Sequence, residues 1–360
     1  MNRAAVRAAV ASALWLGACS APVVRPMIDR QDPARFESCT DAEGRAAYEQ
    51  ALMHLQAGRD QDALPLLRRV VERCPENVPA LAYYQDTALH LGGDASKQMR
   101  AYYEGLADAA DSPVPAFGKA RLLETSYQRK VAVDALLARF DDFAYGWLAR
   151  ARLDRGRGQL GEAVEGFQKA IERYPQLLAA HLELAEVLNE LGRAGEARLP
   201  YENYLRGAPN DRATIRDFVQ LLLYKLDKPA DARPWIERLL ADDPQDEVAR
   251  MDLAAANWCS GDLDAALRGY LDVLKERPDN ARAALDIGFL HYDAFVHDDA
   301  TRAEHWPKAR KAFELFLRLI RPEEGHDYFE KVLAVPYRLK EIERELGPGD
   351  GKPPTLEDLR

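Results

Sequence analysis

The sequence predicts an all-α fold, a solenoid of about eight stacked helix hairpins closed by a C-terminal helix. Three observations predict it. Prolines stand at Pro175, Pro209, Pro244 and Pro278, separated by 34, 35 and 34 residues, and a fixed period of this size marks a repeat architecture. Each proline is preceded by the same three marks. An alanine stands first (Ala163, Ala197, Ala232, Ala266), then a large apolar residue (Phe167, Tyr201, Ile236, Tyr270), then a third small or apolar one (Ala170, Tyr204, Leu239, Val273). Steps of four and three residues place all three on one face of a helix. Upstream of each lies a second helical run with a small residue at its centre, Ala151, Ala185 or Ala254, and a glycine-containing turn joins the two. Such a hairpin cannot hide its own apolar side and must lean on its neighbours.

Along the chain, residues 1–18 come first. Two arginines, Arg3 and Arg7, precede an apolar stretch from Ala8 to Ala18. That is about half the ~20 residues a bilayer-spanning helix needs, and the layout is that of a signal peptide. Residues 19–40 come next, with Pro22, Pro26 and Pro33 and few clustered apolar residues, the composition of a tether. The hairpins are expected over 41–346. The stretch 78–143 keeps a helical period but lacks the alanine and proline marks, and "LDKPAD" shifts the pattern by one residue. A polar insertion occupies 295–306, after which Ala309, Phe313 and Phe316 restore the pattern. The amphipathic run Tyr328–Leu346 reads as the capping helix, and the Gly- and Pro-rich residues 347–360 as a disordered tail.

The formal net charge of −10 argues against a nucleic-acid partner, which requires a basic face. Of the four cysteines, Cys39 precedes the first predicted helix and Cys74 ends the second. An antiparallel hairpin brings those ends together, so in an oxidising compartment a Cys39–Cys74 disulfide is expected, two separate buried thiols being the alternative. Cys259 reads as a packed or groove-lining thiol. His291, His297, His305 and His326 surround the insertion with several carboxylates, a set that either ligates a metal or merely solvates a loop; its spacing matches no metal motif. No cofactor is expected, and no nucleophile elbow or phosphate-binding loop is present.

The repeats resemble the tetratricopeptide repeat family, best at 144–177 through Trp147, Ala151, Gly158, Ala163, Phe167, Ala170 and Pro175. The resemblance implies a right-handed superhelix whose groove is lined by the first helix of each hairpin and binds protein. Carried over position by position, the groove comprises Tyr145, Leu148 and Arg152, then Leu182, Glu186 and Asn189. Arg216, Gln220, Leu223 and Tyr224 come next, then Met251, Ala255 and Trp258, and finally Leu285, Phe289 and Tyr292. The C-terminal half of this set is aromatic and Met-containing, as partner surfaces are; the alternative is that some of these residues fill the core. The Lys, Asn and Arg set with which some family members grip a C-terminal carboxylate is missing.

Leu16-Gly17-Ala18-Cys19 in turn resembles the lipobox of bacterial lipoproteins, which implies acylation of Cys19; the alternative is an ordinary signal peptide with a chance cysteine. Ser20, where an aspartate would retain such a protein in the inner membrane, points by the same resemblance to the periplasmic side of the outer membrane. Together these features resemble the repeat lipoproteins of Gram-negative bacteria that pilot secretins or serve other envelope assemblies. The expected function is therefore a non-enzymatic scaffold, anchored by lipid, with a cell-envelope protein in its groove. A metal- or small-ligand-binding lipoprotein using the histidine-rich insertion is the rival.

Overall fold

The computed structural model describes residues 41–106, 112–320 and 329–360, and these are helical with no strand among them. The leader, Cys19 and the tether lie outside the described residues, as do Cys39 and His326. Helices pair as α1 (Ala42–Gln56) with α2 (Asp60–Arg73), α3 (Val78–Leu91) with α4 (Gly93–Gly105), and α5 (Val114–Arg121) with α6 (Ser126–Leu137). α7 (Ala144–Arg155) with α8 (Leu160–Arg173), and α9 (Leu178–Glu190) with α10 (Ala194–Gly207), complete one compact unit ending at Asp211. A second unit runs from Arg212 to Arg360 and holds α11 (Arg212–Gln220), α12 (Pro229–Asp242), α13 (Glu247–Ser260) and α14 (Leu263–Glu276). It continues with α15 (Ala281–Phe289), α16 (Asp299–Leu319) and α17 (Phe329–Leu346). Within each unit the second helix of a hairpin packs on its own partner and on the first helix of the next hairpin.

The repeat marks are the core. Ala163, Ala197, Ala232 and Ala266 are fully buried, as are Phe167 and Ile236, with Tyr201 and Tyr270 at 1% exposure. Each large side chain so placed contributes roughly 1.5–3 kcal/mol of burial. Small residues set the crossing distance inside a hairpin. A Cβ added to Gly166 would stand 2.8 Å from the Ala151 Cβ, and one added to Gly269 would stand 2.9 Å from the Ala254 Cβ. The prolines end the second helices, and two residues on a side chain opens the next hairpin. Asn77, Asp246 and Asn280 accept hydrogen bonds from the backbone N–H groups of Ala80, Ala249 and Ala283, satisfying donors that a helix start leaves bare.

The irregular stretches keep the same plan with other means. In 78–143 two hairpins form, and tyrosines replace the alanine marks: Tyr84, Tyr102 and Tyr103 pack edge-on or tilted with centroids 5.1–6.4 Å apart. The one-residue shift near "LDKPAD" is absorbed inside the helix, where α11 continues as a π-helical turn, Leu221–Lys225. A π turn spends one more residue per hydrogen-bonded ring than an α turn. The next residue but one, Asp227, then takes φ +53°, the left-handed conformation that Gly58, Gly158, Gly192 and Gly261 adopt at the corresponding turns.

Two expectations are corrected. The insertion is not a solvated loop: a second π turn, Leu290–Ala294, is followed by a short link, and residues 299–306 lengthen α16 at its start behind an Asp298–Thr301 capping box. Trp306, inside the insertion, is buried and stacks on Tyr292 at 5.2 Å with planes 6° apart. Nor is 347–360 a disordered tail. It folds back along α16, where Arg310 donates to the Gly347 carbonyl at 2.7 Å, Lys311 pairs with Asp350, and Leu359 is fully buried at the 3₁₀ turn Glu357–Leu359. A buried leucine and paired charges stabilise a segment whose composition alone reads as unstructured. α17 packs through Val335 and Ile342 on this same end, while Leu333 and Tyr337 face outward, so its outer side is only partly polar.

Candidate functional site

The side of each unit carried by the first helices is built from charges that meet across one repeat length. In the unit ending at Asp211, Arg121 of α5 donates to Gln85 at 2.7 Å and Asp86 at 2.8 Å on α3. Arg152 of α7 grips both oxygens of Glu183 on α9, its Nε at 2.8 and 2.9 Å. One turn on, Arg155 donates to Glu186 at 2.8 Å and also pairs with Glu190. These pairs are half-buried, and forked contacts of this kind are the stronger form of ion pair.

In the unit beginning at Arg212, two buried carboxylates, Asp246 and Asp252, gather the partners. Asp246 caps α13 with one oxygen and with the other accepts from Arg212 at 2.7 Å and Arg216 at 2.6 Å. Burial alone raises its pKa, but the Ala249 N–H and Arg216 outweigh it and hold the carboxyl below its usual range. Asp252 is fully buried and accepts from Gln220 at 3.1 Å and from the Tyr224 hydroxyl at 2.9 Å. Arg282 of α15 donates to that same hydroxyl at 3.0 Å and lies 3.9 Å from Asp252. Desolvation pushes Asp252 upward even against these partners.

Tyr224 and Tyr292 repeat one device two repeats apart. Each sits in a π turn and gives its hydroxyl to a carboxylate on a later helix, Asp252 in the first case and Glu341 in the second. Each hydroxyl also accepts from an arginine, Arg282 in the first and Arg338, at 3.4 Å, in the second.

This arrangement corrects the groove carried over from the family resemblance. Leu182, Met251, Tyr224 and Tyr292 are buried, together with Leu148, Leu223, Ala255 and Leu285, and pack in the core between hairpins. Arg152, Glu186, Arg216 and Gln220 do stand on the first-helix side, but in these internal pairs. Tyr145, Asn189, Trp258 and Phe289 are half-buried. Tyr145 leans on Phe143 and Tyr174, and Phe289 meets Phe313 edge-on at 5.3 Å. Sequence reasoning missed Arg155, Glu183, Arg212, Asp246, Asp252 and Arg282. A readable signal was there, opposite charges 30 or 31 residues apart in successive hairpins.

Cys74 is disulfide-bonded and buried, while Cys259 is a half-buried free thiol; Cys39, the expected partner of Cys74, lies outside the described residues. Of the histidine set, His291 and His305 meet, and His326 lies outside the described residues. Among the described residues no group of three His, Cys, Asp or Glu is placed to hold a metal ion. His291 instead spends one ring nitrogen on His305 at 2.9 Å and the other on the Leu359 carbonyl at 3.0 Å. No described helix is long and apolar enough to cross a membrane.

The tetratricopeptide repeat family model matches residues 34–78, 132–212 and 221–281. The aspartyl/asparaginyl beta-hydroxylase of Mus musculus is 29% identical over 166 residues, which are 43% of this chain and 22% of that protein. This chain therefore spans under a quarter of the length of that relative. Among solved structures, YrrB, described as a TPR protein with an unusual peptide-binding site, is 22% identical over 56% of this chain and 98% of its own, with a TM-score of 0.40. PilW, described as a type IV pilus biogenesis factor, is 16% identical over 59% of this chain and 99% of its own, with a TM-score of 0.41.

Proposed function

The chain belongs to the tetratricopeptide repeat family, a fold of protein-interaction scaffolds, and from that premise we propose that it is a non-enzymatic scaffold which binds a cell-envelope protein on its first-helix faces. The observation that carries the reading is the charge ladder on those faces, with half-buried aromatics beside it: arginines and carboxylates held in register by one another form a fixed polar template. A matching partner is an extended segment rich in polar and charged groups, with an aromatic or aliphatic side chain to set against Trp258 or Phe289. An apolar helix is a poor match, because the apolar residues of these helices are turned inward.

The anchoring part of the reading rests on the lipobox-like Leu16–Cys19 and the short apolar stretch before it. A thioether-linked diacyl chain on Cys19, with or without a third acyl group, gives stable attachment at ~0.8 kcal/mol per buried CH2. Ser20 favours the outer membrane, with the hairpins on the periplasmic side. Affinity capture from native membranes tests the scaffold. An envelope protein should be recovered with the full chain and lost with Trp258→Ala/Phe289→Ala or Arg152→Ala/Arg155→Ala, while far-ultraviolet circular dichroism stays unchanged. Recovery of the same proteins by both variants overturns it. Labelled palmitate tests the anchor separately: the full chain should take up label, and Cys19→Ser should abolish uptake and release the protein from membranes.

A further inference from the structure

The stretch Gly347–Leu359 is fastened at two points. Near its start Arg310 and Lys311 hold the Gly347 and Lys352 carbonyls and the Asp350 carboxylate. At its end Leu359 is fully buried and its carbonyl lies 3.0 Å from His291 Nε2. A carbonyl only accepts, so His291 carries a proton on Nε2, and in the neutral ring that burial favours its Nδ1 is bare. That Nδ1 faces His305 Nδ1 at 2.9 Å, so the proton between the rings belongs to His305. Phe295 stacks on both rings, at 5.3 Å from His291 and 4.7 Å from His305. Turning either ring in place would therefore break its stack on Phe295.

We propose that Gly347–Leu359 is a pH-gated strap: the His291–His305 pair latches it at neutral pH, and protonation of both rings releases it. The pair tolerates one added proton, on the outward Nε2 of His305. A second must go to His291 Nδ1, where two N–H groups and two positive charges would then oppose each other across the 2.9 Å gap. The rings separate, and the hydrogen bond to the Leu359 carbonyl and the leucine seat are lost together. The charged surroundings pull in both directions. From α16, Lys308 disfavours a proton on either ring and Glu304 favours one; His297 of the link disfavours one on His305, and Asp264 of α14 favours it. Burial lowers both histidines, His291 to about 4, where it and the facing His305 outweigh the Leu359 carbonyl, which by itself favours a proton on His291. The strap's own Asp350 and Asp358 are held below the usual carboxylate range by Lys311 and Thr355, so they keep their charge while the histidines titrate.

The sign comes from linkage. A histidine whose pKa is lowered in the latched state favours latching above its ordinary 6.5, and that preference fades as pH falls toward 4. Hydrogen exchange of the full chain, corrected for intrinsic rate, reads it. Protection of the amides around Leu359 should fall about tenfold or more between pH 7 and 4.5, with α13 amides unchanged. In His291→Gln, whose amide can still donate to the carbonyl but does not titrate, the fall should shrink to under about threefold. Equal pH dependence in both proteins, or none in the parent, overturns the proposal. If His291→Gln loses α13 protection, Leu359→Ala decides by histidine NMR. With the strap unseated His291 should titrate near its ordinary range, and titration still near 4 refutes the coupling.

Discussion

The two units solve one problem with different chemistry. Up to Asp211 the pair that ties α7 to α9, Arg152–Glu183, stays near the surface, each side chain retaining nearly a fifth of its exposure. From Arg212 onward the hairpins carry extra residues, wind into π turns and draw Asp252 fully out of solvent among Tyr224, Gln220 and Arg282. Exposed or half-exposed pairs contribute little net stability because water and side-chain entropy offset the attraction. A buried carboxylate is different, since each of its partners is left unmet when it goes.

The sharpest way to break this comparison is to remove one carboxylate from each unit. Asp252→Ala should cost about 3–5 kcal/mol, since Gln220 and the Tyr224 hydroxyl lose their acceptor and Arg282 loses a nearby countercharge, whereas Glu183→Ala should cost about 1 kcal/mol or less. Urea denaturation measures both, and equal losses would erase the distinction. Next in size is the hairpin crossing. Gly166→Val, pressed on Ala151, should cost about 1–3 kcal/mol through overpacking, and thermal melting reads it. Smallest are the turns. Gly158→Ala should cost about 1 kcal/mol at φ +75°. Asp227→Gly, at the matching turn of the other unit, should gain about 0.5 kcal/mol if backbone strain exceeds what its side chain returns. A loss in Asp227→Gly would show that the aspartate side chain holds the turn.

How much of this was legible in the sequence depends on which face of a helix is asked about. The second helices were readable residue by residue, because Ala163, Phe167 and Ala170 and their counterparts sit at α-helical intervals and are buried accordingly. The first helices were not. A stacked hairpin covers most of the girth of its first helix, so Leu182 and Met251, which a lone amphipathic helix would leave at a rim, pack between neighbours. Tyr224 and Tyr292 were misplaced for a further reason. A π turn adds a residue and rotates the downstream side chains by about 100°, and periodicity counted at 3.6 residues cannot register it. The C-terminal strap was hidden because its anchors, Leu359 and the carbonyls held by Arg310 and Lys311, carry no periodic pattern. The disulfide was half visible: Cys74 is bonded, as its position at a hairpin end foretold.

The two π turns carry a consequence for how such an array grows. Because surplus residues are taken up in the π turns and in the lengthened start of α16, α12 and α16 still carry their buried pattern in step, with Ala232 and Ala309 fully inside. A length change in one hairpin is thereby quarantined, and downstream hairpins keep their phase. Loops need not be the place where this chain gains residues, and its polar faces can be respaced locally without dismantling the hairpins stacked beyond them.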